Sequence, residues 1–185
     1  MKRLSTADCA VGAVTASKML LGKRLCRRLP NGHVLKARIV ETEAYCGEKD
    51  TACNAHCGKT ERNAPMHEAG GIACICLCYG MPNLLNVVTG PKDYPDAVLI
   101  CGVEGAIGPG RVTKSLHVDR MLNCEPLATS RFLRIEDDGT KPPRFKSTPR
   151  IGIADMCEQP VPPRPIYDII RKTFSEVEHG RTNQG

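Results

Sequence analysis

The sequence predicts a single domain that mixes helices with strands, most of which are joined as hairpins. At 185 residues and 41% hydrophobic content the chain can bury one core, and no change in composition marks a second domain. A helical pattern opens the chain, and short alternating apolar segments then follow between glycine- and proline-containing turns. The strongest turn signal, Pro30-Asn31-Gly32, is typical of a hairpin.

The first helix and the first hairpin are predicted from local signals. Asp8 can cap the helix, an approximate apolar face runs from Val11 to Leu20, and Gly22 ends it. A strand over residues 23–29 then turns back into a second strand that begins at Val34. The first strand is basic, and its cations can contact phosphates or form a solvated outer face: Lys23, Arg24, Arg27 and Arg28.

Two glutamates on the returning strand are candidates for chemistry. Strand alternation makes Glu41 and Glu43 point the same way, with Thr42 opposite, and Glu43 falls near the predicted strand end. Two like charges on one strand face repel each other and gain little from burial, so the pattern favours a carboxylate with a function. The alternative is a pair of solvated glutamates on an exposed edge strand.

A long polar loop and a second hairpin are predicted next. Residues 46–69 are turn-rich, and loops of this length in compact domains are commonly functional or mobile. Strands over 72–79 and 84–88 then flank a turn whose tip carries an aromatic residue, a methionine and a proline. Such an apolar tip either packs against the protein or inserts into a partner, and a wedge between DNA base steps is one known use.

The second half of the chain is predicted to contain two more strands and two helices. The strands cover residues 97–103 and 131–136, and the turn at 108–110 opens a helix whose start could hold a phosphate beside Arg111 and Lys114. A plain glycine turn into a surface helix is the alternative. After an extended proline-rich segment, the second helix begins at Ile166, and the tail from His179 is expected to be disordered.

The net charge indicates the class of binding partner, and the cysteine content indicates the cellular compartment. The net charge of +6 suits a polyanion such as nucleic acid, and no apolar run is long enough for a membrane helix. The eleven cysteines, without a secretory signal, predict free thiols inside the cell, and inside the nucleus if the source has one. Cys74, Cys76 and Cys78 share a strand face and could hold a metal with His56, or could be buried small hydrophobic residues.

Several motifs in a fixed order resemble the alkyladenine (3-methyladenine) DNA glycosylase family. The resemblance covers about Ala16 to Pro160. Its motifs are Arg38-Ile-Val-Glu-Thr-Glu-Ala-Tyr-Cys-Gly47, Thr60-Glu-Arg-Asn-Ala-Pro-Met66, Tyr79-Gly-Met81 with Asn86, Ala97-Val-Leu-Ile100, Gly108-Pro-Gly-Arg-Val-Thr-Lys114 and Pro149-Arg-Ile-Gly-Ile153. It implies an α+β glycosylase domain over residues 1–165, built on a curved antiparallel sheet with surrounding helices, and a divergent C-terminal helix and tail over 166–185.

The resemblance also implies an activity and partners. Members bind double-stranded DNA that contains damaged purines, flip the damaged base out and hydrolyse its N-glycosidic bond without a metal or other cofactor. A protein that reads one flipped base needs no dimer, so a monomer is expected. Neither membrane association nor a metal site follows from the resemblance.

The resemblance assigns roles to individual residues. Glu43 matches the catalytic base, Tyr45 an aromatic wall of the base pocket, and Asn86 the pocket amide. Tyr79 matches the side chain that fills the gap left by the flipped base, with Met81 beside it. The remaining matches fall in the base pocket, namely Asn54, Cys76 and Cys101, or at the DNA backbone, namely Arg62, Arg111 and Lys114.

Several pocket positions depart from the family pattern. Asn54 stands where relatives carry a histidine, Cys76 and Cys74 replace aromatic residues, and Cys101 replaces an arginine near the catalytic water. Losing one aromatic stack weakens base binding by about 1–3 kcal/mol. We therefore expect activity on cationic lesions and poor activity on neutral ones such as hypoxanthine. The alternatives are a DNA-lesion binder without catalysis, and a zinc or redox protein built on the cysteines.

Overall fold

The structure is a computed structural model that describes residues 1–77, 83–140, 144–150 and 168–171. Within these ranges ten antiparallel strands form one sheet. The strands are β1 (Lys2–Arg3), β2 (Arg24–Arg28), β3 (Val34–Cys46), β4 (Ala73–Leu77), β5 (Asn83–Val88), β6 (Asp96–Val103), β7 (Ala106–Ile107), β8 (Leu133–Asp137), β9 (Lys146–Pro149) and β10 (Asp168–Arg171). The helices are α1 (Thr6–Cys9), α2 (Ala13–Leu20) and α3 (Pro109–Ser115), with 3₁₀ turns at Gly47–Lys49, Ala64–His67 and Arg120–Leu122.

The thirteen-residue strand β3 links the two halves of the sheet. The main path of the sheet runs β1-β8-β2-β3-β6-β5-β4, and β10 pairs with β3 beyond the end of β2. Register shifts lie on both sides of Glu41, between Ile39 and Thr42. Such bulges bend a strand and increase its twist, so the sheet curves at β3. A curved antiparallel sheet with few helices confirms the predicted α+β class.

The two faces of the sheet have different roles. On one face Ala44 belongs to the main hydrophobic core, and the Thr42 hydroxyl donates to the Ser17 carbonyl oxygen of α2 at 3.0 Å. Helix α3 joins the same core through Val112. Because side chains alternate along a strand, Glu43 points away from the face that these helices cover. No helix in the described ranges is long and apolar enough to cross a membrane.

The first hairpin forms as predicted, and acidic residues pair with its cations. The Gly32 amide donates to the Leu29 carbonyl oxygen at 2.9 Å, and the φ of Gly32 is 86°. Asp138 accepts from Arg38 at 2.8 Å, from the Thr140 amide at 3.0 Å and from Arg24 at 2.9 Å, and these bonds hold the pKa of its carboxyl far below the usual range. The cations on this face are therefore largely matched by acids of β8 and the turn after it.

The N-terminal helix was predicted as one element, and the structure corrects it to two. Ser5 caps α1, and Asp8 is its partner in a capping box rather than the cap itself. Gly12 then interrupts the helical path with a φ of 80°, and its amide donates to the Thr89 carbonyl oxygen at 3.0 Å. This bond anchors the start of α2 to the chain beyond β5.

The predicted C-terminal helix is wrong at residues 168–171, which form β10. The β10 backbone pairs with β3, with Ile169 opposite Glu43, and with β9 on its other side. The C-terminal half of β3 has an edge beyond β2 that can accept a strand, and isoleucine is common in strands. The rest of the predicted helix, the proline-rich segment and the tail lie outside the described residues.

Candidate functional site

A row of side chains crosses four strands on the face opposite α2. Glu43 pairs with Leu99, Leu99 with Asn86, and Asn86 with Cys74. Residues paired in this way project from the same face of a sheet. Glu43 and Asn86 are separated by two inter-strand spacings, or about 10 Å. The sheet register therefore sets a carboxylate and an amide on one face, on either side of Leu99.

The other predicted pocket residues extend this row along their strands. Tyr45, Cys101 and Cys76 each lie two residues from a member of the row, and therefore on the same face. Both glutamates are buried, with Glu41 7% and Glu43 9% exposed, which excludes the solvated edge considered from sequence. The structure thus brings Glu43, Tyr45, Asn86, Cys76 and Cys101 together.

The Glu43 carboxylate is buried but supported. Burial raises the pKa of Glu43 above its ordinary value, while the hydrogen bond from Tyr45, the charge of Arg150 and the Cys101 thiol oppose this rise. The Tyr45 hydroxyl donates to Glu43 Oε2 at 2.9 Å. A carboxylate whose pKa is raised accepts a proton more readily than a solvated one, so Glu43 is suited to general base chemistry.

Arg150 supplies a cation that the residue assignments from sequence missed. Its guanidinium makes two bonds of 2.7 Å to the buried Asp50 carboxylate and donates to the Ala44 carbonyl oxygen at 3.1 Å. Its guanidinium carbon lies 4.5 Å from the centroid of the Tyr45 ring. The signal in the sequence was the Pro149 to Ile153 motif, which contributed to the resemblance but had no assigned role.

Side-chain amides and carboxylates order the start of the polar loop. Asp50 accepts from the amides of Cys46 and Ala52, both at 3.2 Å. Asn63 Nδ2 donates to the carbonyl oxygens of Asn54 at 3.0 Å and Gly58 at 2.9 Å. The loop is therefore held by its own polar groups near the end of β3.

Two cavities open beside Cys76. The larger, of about 610 Å³, is lined by Glu61, Arg62, Pro65, Ile75, Cys76, Leu77, Arg120 and Asn123. The smaller, of about 100 Å³, is lined by Asn54, Thr60, Arg62, Asn63 and Cys76. Asn54 therefore meets Cys76 and Arg62 at the smaller cavity, and its role in base binding stays a prediction. No sequence pattern singled out Arg120 or Asn123, because they begin and follow a short 3₁₀ turn that has no periodic signal.

Comparison with known proteins identifies the family. Residues 7–106 match the family described as "Methylpurine-DNA glycosylase (MPG)". Three similar proteins, each named "Putative 3-methyladenine DNA glycosylase", come from Psychrobacter cryohalolentis, Methanocella arvoryzae and Chlorobium luteolum. The Psychrobacter protein is 39% identical over 72% of this chain and 76% of its own. The Methanocella protein is 40% identical over 80% of this chain and 84% of its own. The Chlorobium protein is 36% identical over 86% of this chain and 91% of its own. The chain belongs to the methylpurine-DNA glycosylase family.

Membership in the methylpurine-DNA glycosylase family confirms the resemblance drawn from the ordered motifs. The matched region contains the sheet row and the loop, and it ends before α3 and Arg150. The predicted intercalating residues Tyr79 and Met81 lie outside the described residues.

The residues predicted to contact the DNA backbone lie in two separate regions of the surface. Arg62 is exposed at both cavities, and its guanidinium donates to the Leu77 carbonyl oxygen. Arg111 and Lys114 are exposed on α3, where the Thr113 hydroxyl donates to the Asn83 carbonyl oxygen at 2.6 Å. This bond fixes α3 beside the strand that leaves the hairpin tip, and Lys114 lines a separate cavity of about 380 Å³ there.

The cysteine and histidine cluster considered from sequence does not form in the described ranges. His56 Nδ1 lies 2.7 Å from the Glu48 carbonyl oxygen, and no described group of three His, Cys, Asp or Glu side chains is placed to hold a metal. Nine cysteines in the described ranges are free thiols. Cys78 lies outside those ranges.

Proposed function

We propose that this member of the methylpurine-DNA glycosylase family removes alkylated purines, such as 3-methyladenine and 7-methylguanine, from duplex DNA. The damaged base flips out and its N-glycosidic bond is hydrolysed, leaving an abasic site and no other strand chemistry. The observation that carries the proposal is the buried Glu43 carboxylate, which accepts a hydrogen bond from Tyr45 and lies on the same sheet face as the Asn86 amide. All these residues belong to one chain, so one protomer suffices.

In the proposed reaction Glu43 accepts a proton from water as the water oxygen bonds to C1′ of the flipped nucleotide. The C1′–N bond breaks, its electron pair leaves with the purine, and the sugar retains the new hydroxyl group. Positive charge develops on the sugar in the transition state, so an adjacent carboxylate stabilises it as well as activating the water. Alkylation at N3 or N7 makes the purine cationic and therefore a better leaving group.

The base-binding groups are proposed from their positions around this carboxylate. Tyr45 forms an aromatic wall, and Asn86 contacts the edge of the flipped purine. Arg150 supports this wall through its stack on the Tyr45 ring, and its charge favours ionised Glu43. That cation offsets, in part, the arginine that Cys101 replaces.

The pocket positions that differ from the family pattern support a preference for cationic lesions. Cys76 offers no ring for the flipped base to stack on, and one lost stack weakens base binding by about 1–3 kcal/mol. The cationic lesions depend less on tight binding because their glycosidic bonds break more readily. Hypoxanthine and ethenoadenine are neutral, so their excision is expected to be slow.

DNA contacts complete the proposal. Tyr79 and Met81 insert into the gap left by the flipped nucleotide, while Arg62, Arg111 and Lys114 contact the phosphate backbone. Exposure of the three cations and the net charge of +6 support this assignment.

Glu43→Gln is expected to reduce release of 3-methyladenine and 7-methylguanine from methylated duplex DNA by about 10²-fold or more, because general base catalysis is lost. Binding to lesion-containing duplex should persist. Glu48→Gln is the matched control, because Glu48 is exposed on the neighbouring 3₁₀ turn, and it should excise normally. A hypoxanthine duplex in the same assay tests lesion preference.

Three outcomes of this assay contradict parts of the proposal. Equal rates of base release by Glu43→Gln and wild type would show that Glu43 takes no part in the hydrolysis. Efficient release of hypoxanthine contradicts the cationic preference. No release by folded wild type that still binds the lesion identifies the chain as a non-catalytic lesion binder, the alternative that the altered pocket raises.

A further inference from the structure

Two thiols on β4 lie side by side at the edge of the proposed pocket. Cys74 Sγ and Cys76 Sγ are 3.6 Å apart, with Cys74 1% and Cys76 8% exposed. Both side chains project from one face of β4, which pairs with β5 through Cys74 to Asn86 and Cys76 to Leu84. The proposed hydrolysis uses neither thiol as a reacting group.

The strand geometry opposes a direct disulfide between these cysteines. Two residues of extended strand advance about 6.6–6.8 Å, and Cβ atoms on one face are separated similarly. A disulfide needs a Cβ to Cβ distance of about 3.5–4.5 Å, so closing it would distort the pairing of β4 with β5. The sulfurs approach closely only because the side chains lean towards each other.

A single bridging atom fits the same geometry. Two bonds to sulfur of about 2.3 Å that meet at an angle between about 95° and 109° span about 3.4–3.8 Å, a range that includes the observed separation of 3.6 Å. Zinc ordinarily takes three or four protein ligands, whereas no described group of three donors is placed to hold a metal. Trivalent arsenic that already carries one organic group needs only two thiols, and therefore matches the donors present.

We propose that Cys74 and Cys76 form a dithiol site that captures trivalent organoarsenicals. An arsenoxide RAs=O condenses with the two thiols, forming two As–S bonds and breaking the As–O linkage, and both thiol protons leave with the oxygen as water. Arsenic remains trivalent, so no oxidant or reductant is needed. A dithiol competitor reverses the step by forming its own cyclic product.

The surroundings give a reagent access to the pair. Cys76 lines both cavities, and the larger, of about 610 Å³, has room for an organic substituent. A hydrogen bond from the Cys74 thiol and the charge of Arg62 lower the pKa of Cys76, although burial opposes them. The more reactive thiol is thus the one at the cavity, and Cys74 lies behind it to close the ring.

Capture at this site should also stop base excision, a consequence that rests on the proposed function. Cys76 is assigned to the base pocket, and an arsenic atom with its substituent there would occupy space needed by the flipped purine. Binding itself requires only the two thiols. The two effects can therefore succeed or fail separately.

Phenylarsine oxide added to the reduced protein is the test of binding, with intact mass as the readout. One equivalent should add with loss of one water, resist a monothiol and be removed by dimercaptopropanol. Cys74→Ser and Cys76→Ser should each lose this equivalent. Cys57→Ser, at an exposed cysteine outside the pair, should retain it.

Retention of the adduct in either pair variant, its removal by a monothiol, or absence of any adduct on wild type would overturn the proposal. Fragmentation of the wild-type adduct peptide answers the question if a variant does not fold, because the arsenic must bridge Cys74 and Cys76 and leave Cys78 unmodified. The excision assay forms a separate arm. An adduct on Cys74 and Cys76 without inhibition keeps the dithiol site but contradicts the assignment of Cys76 to the base pocket.

Discussion

Glu41 and Glu43 occupy different surroundings although they lie two residues apart on β3. Glu41 packs against Gly102, where an added Cβ would lie 3.0 Å from the Glu41 Cβ. Glu43 instead receives the Tyr45 hydroxyl and senses the charge of Arg150. Alternation along the strand predicts that both side chains share a face. Their different neighbours make Glu43 the better candidate for the base.

Tyr45→Phe tests this environment through the pH dependence of excision. The Tyr45 hydrogen bond favours the ionised carboxylate, so its loss should raise the pKa of Glu43 further. The base must be ionised, and excision by wild type should therefore decline as the pH falls through the raised pKa, above the ordinary 4.5. This decline forms the acidic limb of the pH profile of the excision rate. In Tyr45→Phe the acidic limb should move to higher pH, with a several-fold loss of rate at mildly acidic pH.

Single-turnover excision rates across a pH series measure this shift. Tyr94→Phe is the control, because Tyr94 is 42% exposed on the loop between β5 and β6 and should leave the limb in place. An acidic limb that stays fixed or moves to lower pH in Tyr45→Phe would mean that the hydroxyl does not support the Glu43 carboxylate.

At the scale of elements, Arg150 holds three parts of the chain together. It follows β9, pairs with Asp50 in the polar loop, and contacts Ala44 and Tyr45 near the end of β3. The Arg150 and Asp50 side chains are only 9% and 3% exposed. A buried pair of this kind is destabilising to break, because removing one partner leaves the other charge without compensation.

We expect Asp50→Asn and Arg150→Met each to lower the free energy of unfolding by about 3–5 kcal/mol. The double variant should lose less than the sum of the two, because neither charge then remains buried alone. Urea denaturation of the four proteins measures the cycle. Asp93→Asn, at the exposed pair of Lys59 and Asp93, should change stability by less than about 1 kcal/mol. Strict additivity in the buried cycle would contradict the coupling.

At the scale of the whole molecule, net charge and its distribution bear on DNA binding. The chain carries +6, but several cations on the β2 side are paired with Asp137, Asp138 and Glu136. Arg111 and Lys114 instead lie exposed on α3, which is tied to the strand after the hairpin tip. Affinity for duplex DNA is therefore expected to depend on α3 more than on the first hairpin.

Lys114→Gln should weaken binding to duplex DNA and reduce the slope of log affinity against log salt by about 1, the loss of one phosphate contact. Fluorescence anisotropy at a series of salt concentrations measures the slope. Lys18→Gln removes the same charge from an exposed position on α2 and should leave the slope unchanged. Equal slopes for wild type and Lys114→Gln would exclude Lys114 from the DNA contact.

Much of the fold could be predicted because its signals are local. Turn chemistry and alternation located the first hairpin and the core strands to within a few residues, since φ preferences and a period of two act over short stretches. The C-terminal strand could not be predicted in this way. A short isoleucine-rich segment fits a helix or a strand, and the free edge of β3 decides which one forms.

The sequence by itself determined the family, the curved antiparallel sheet and the shared face of Glu41 and Glu43. Ordered motifs and strand alternation depend only on residues that are close together in the chain. Only the tertiary structure decided that Arg150 lies on Tyr45 and pairs with Asp50, two residues that are distant from it in the chain. It also decided that the Cys74 and Cys76 sulfurs lean to within 3.6 Å of each other. Contacts between distant residues and the directions of side chains depend on how the whole sheet curves and packs, which no local pattern encodes.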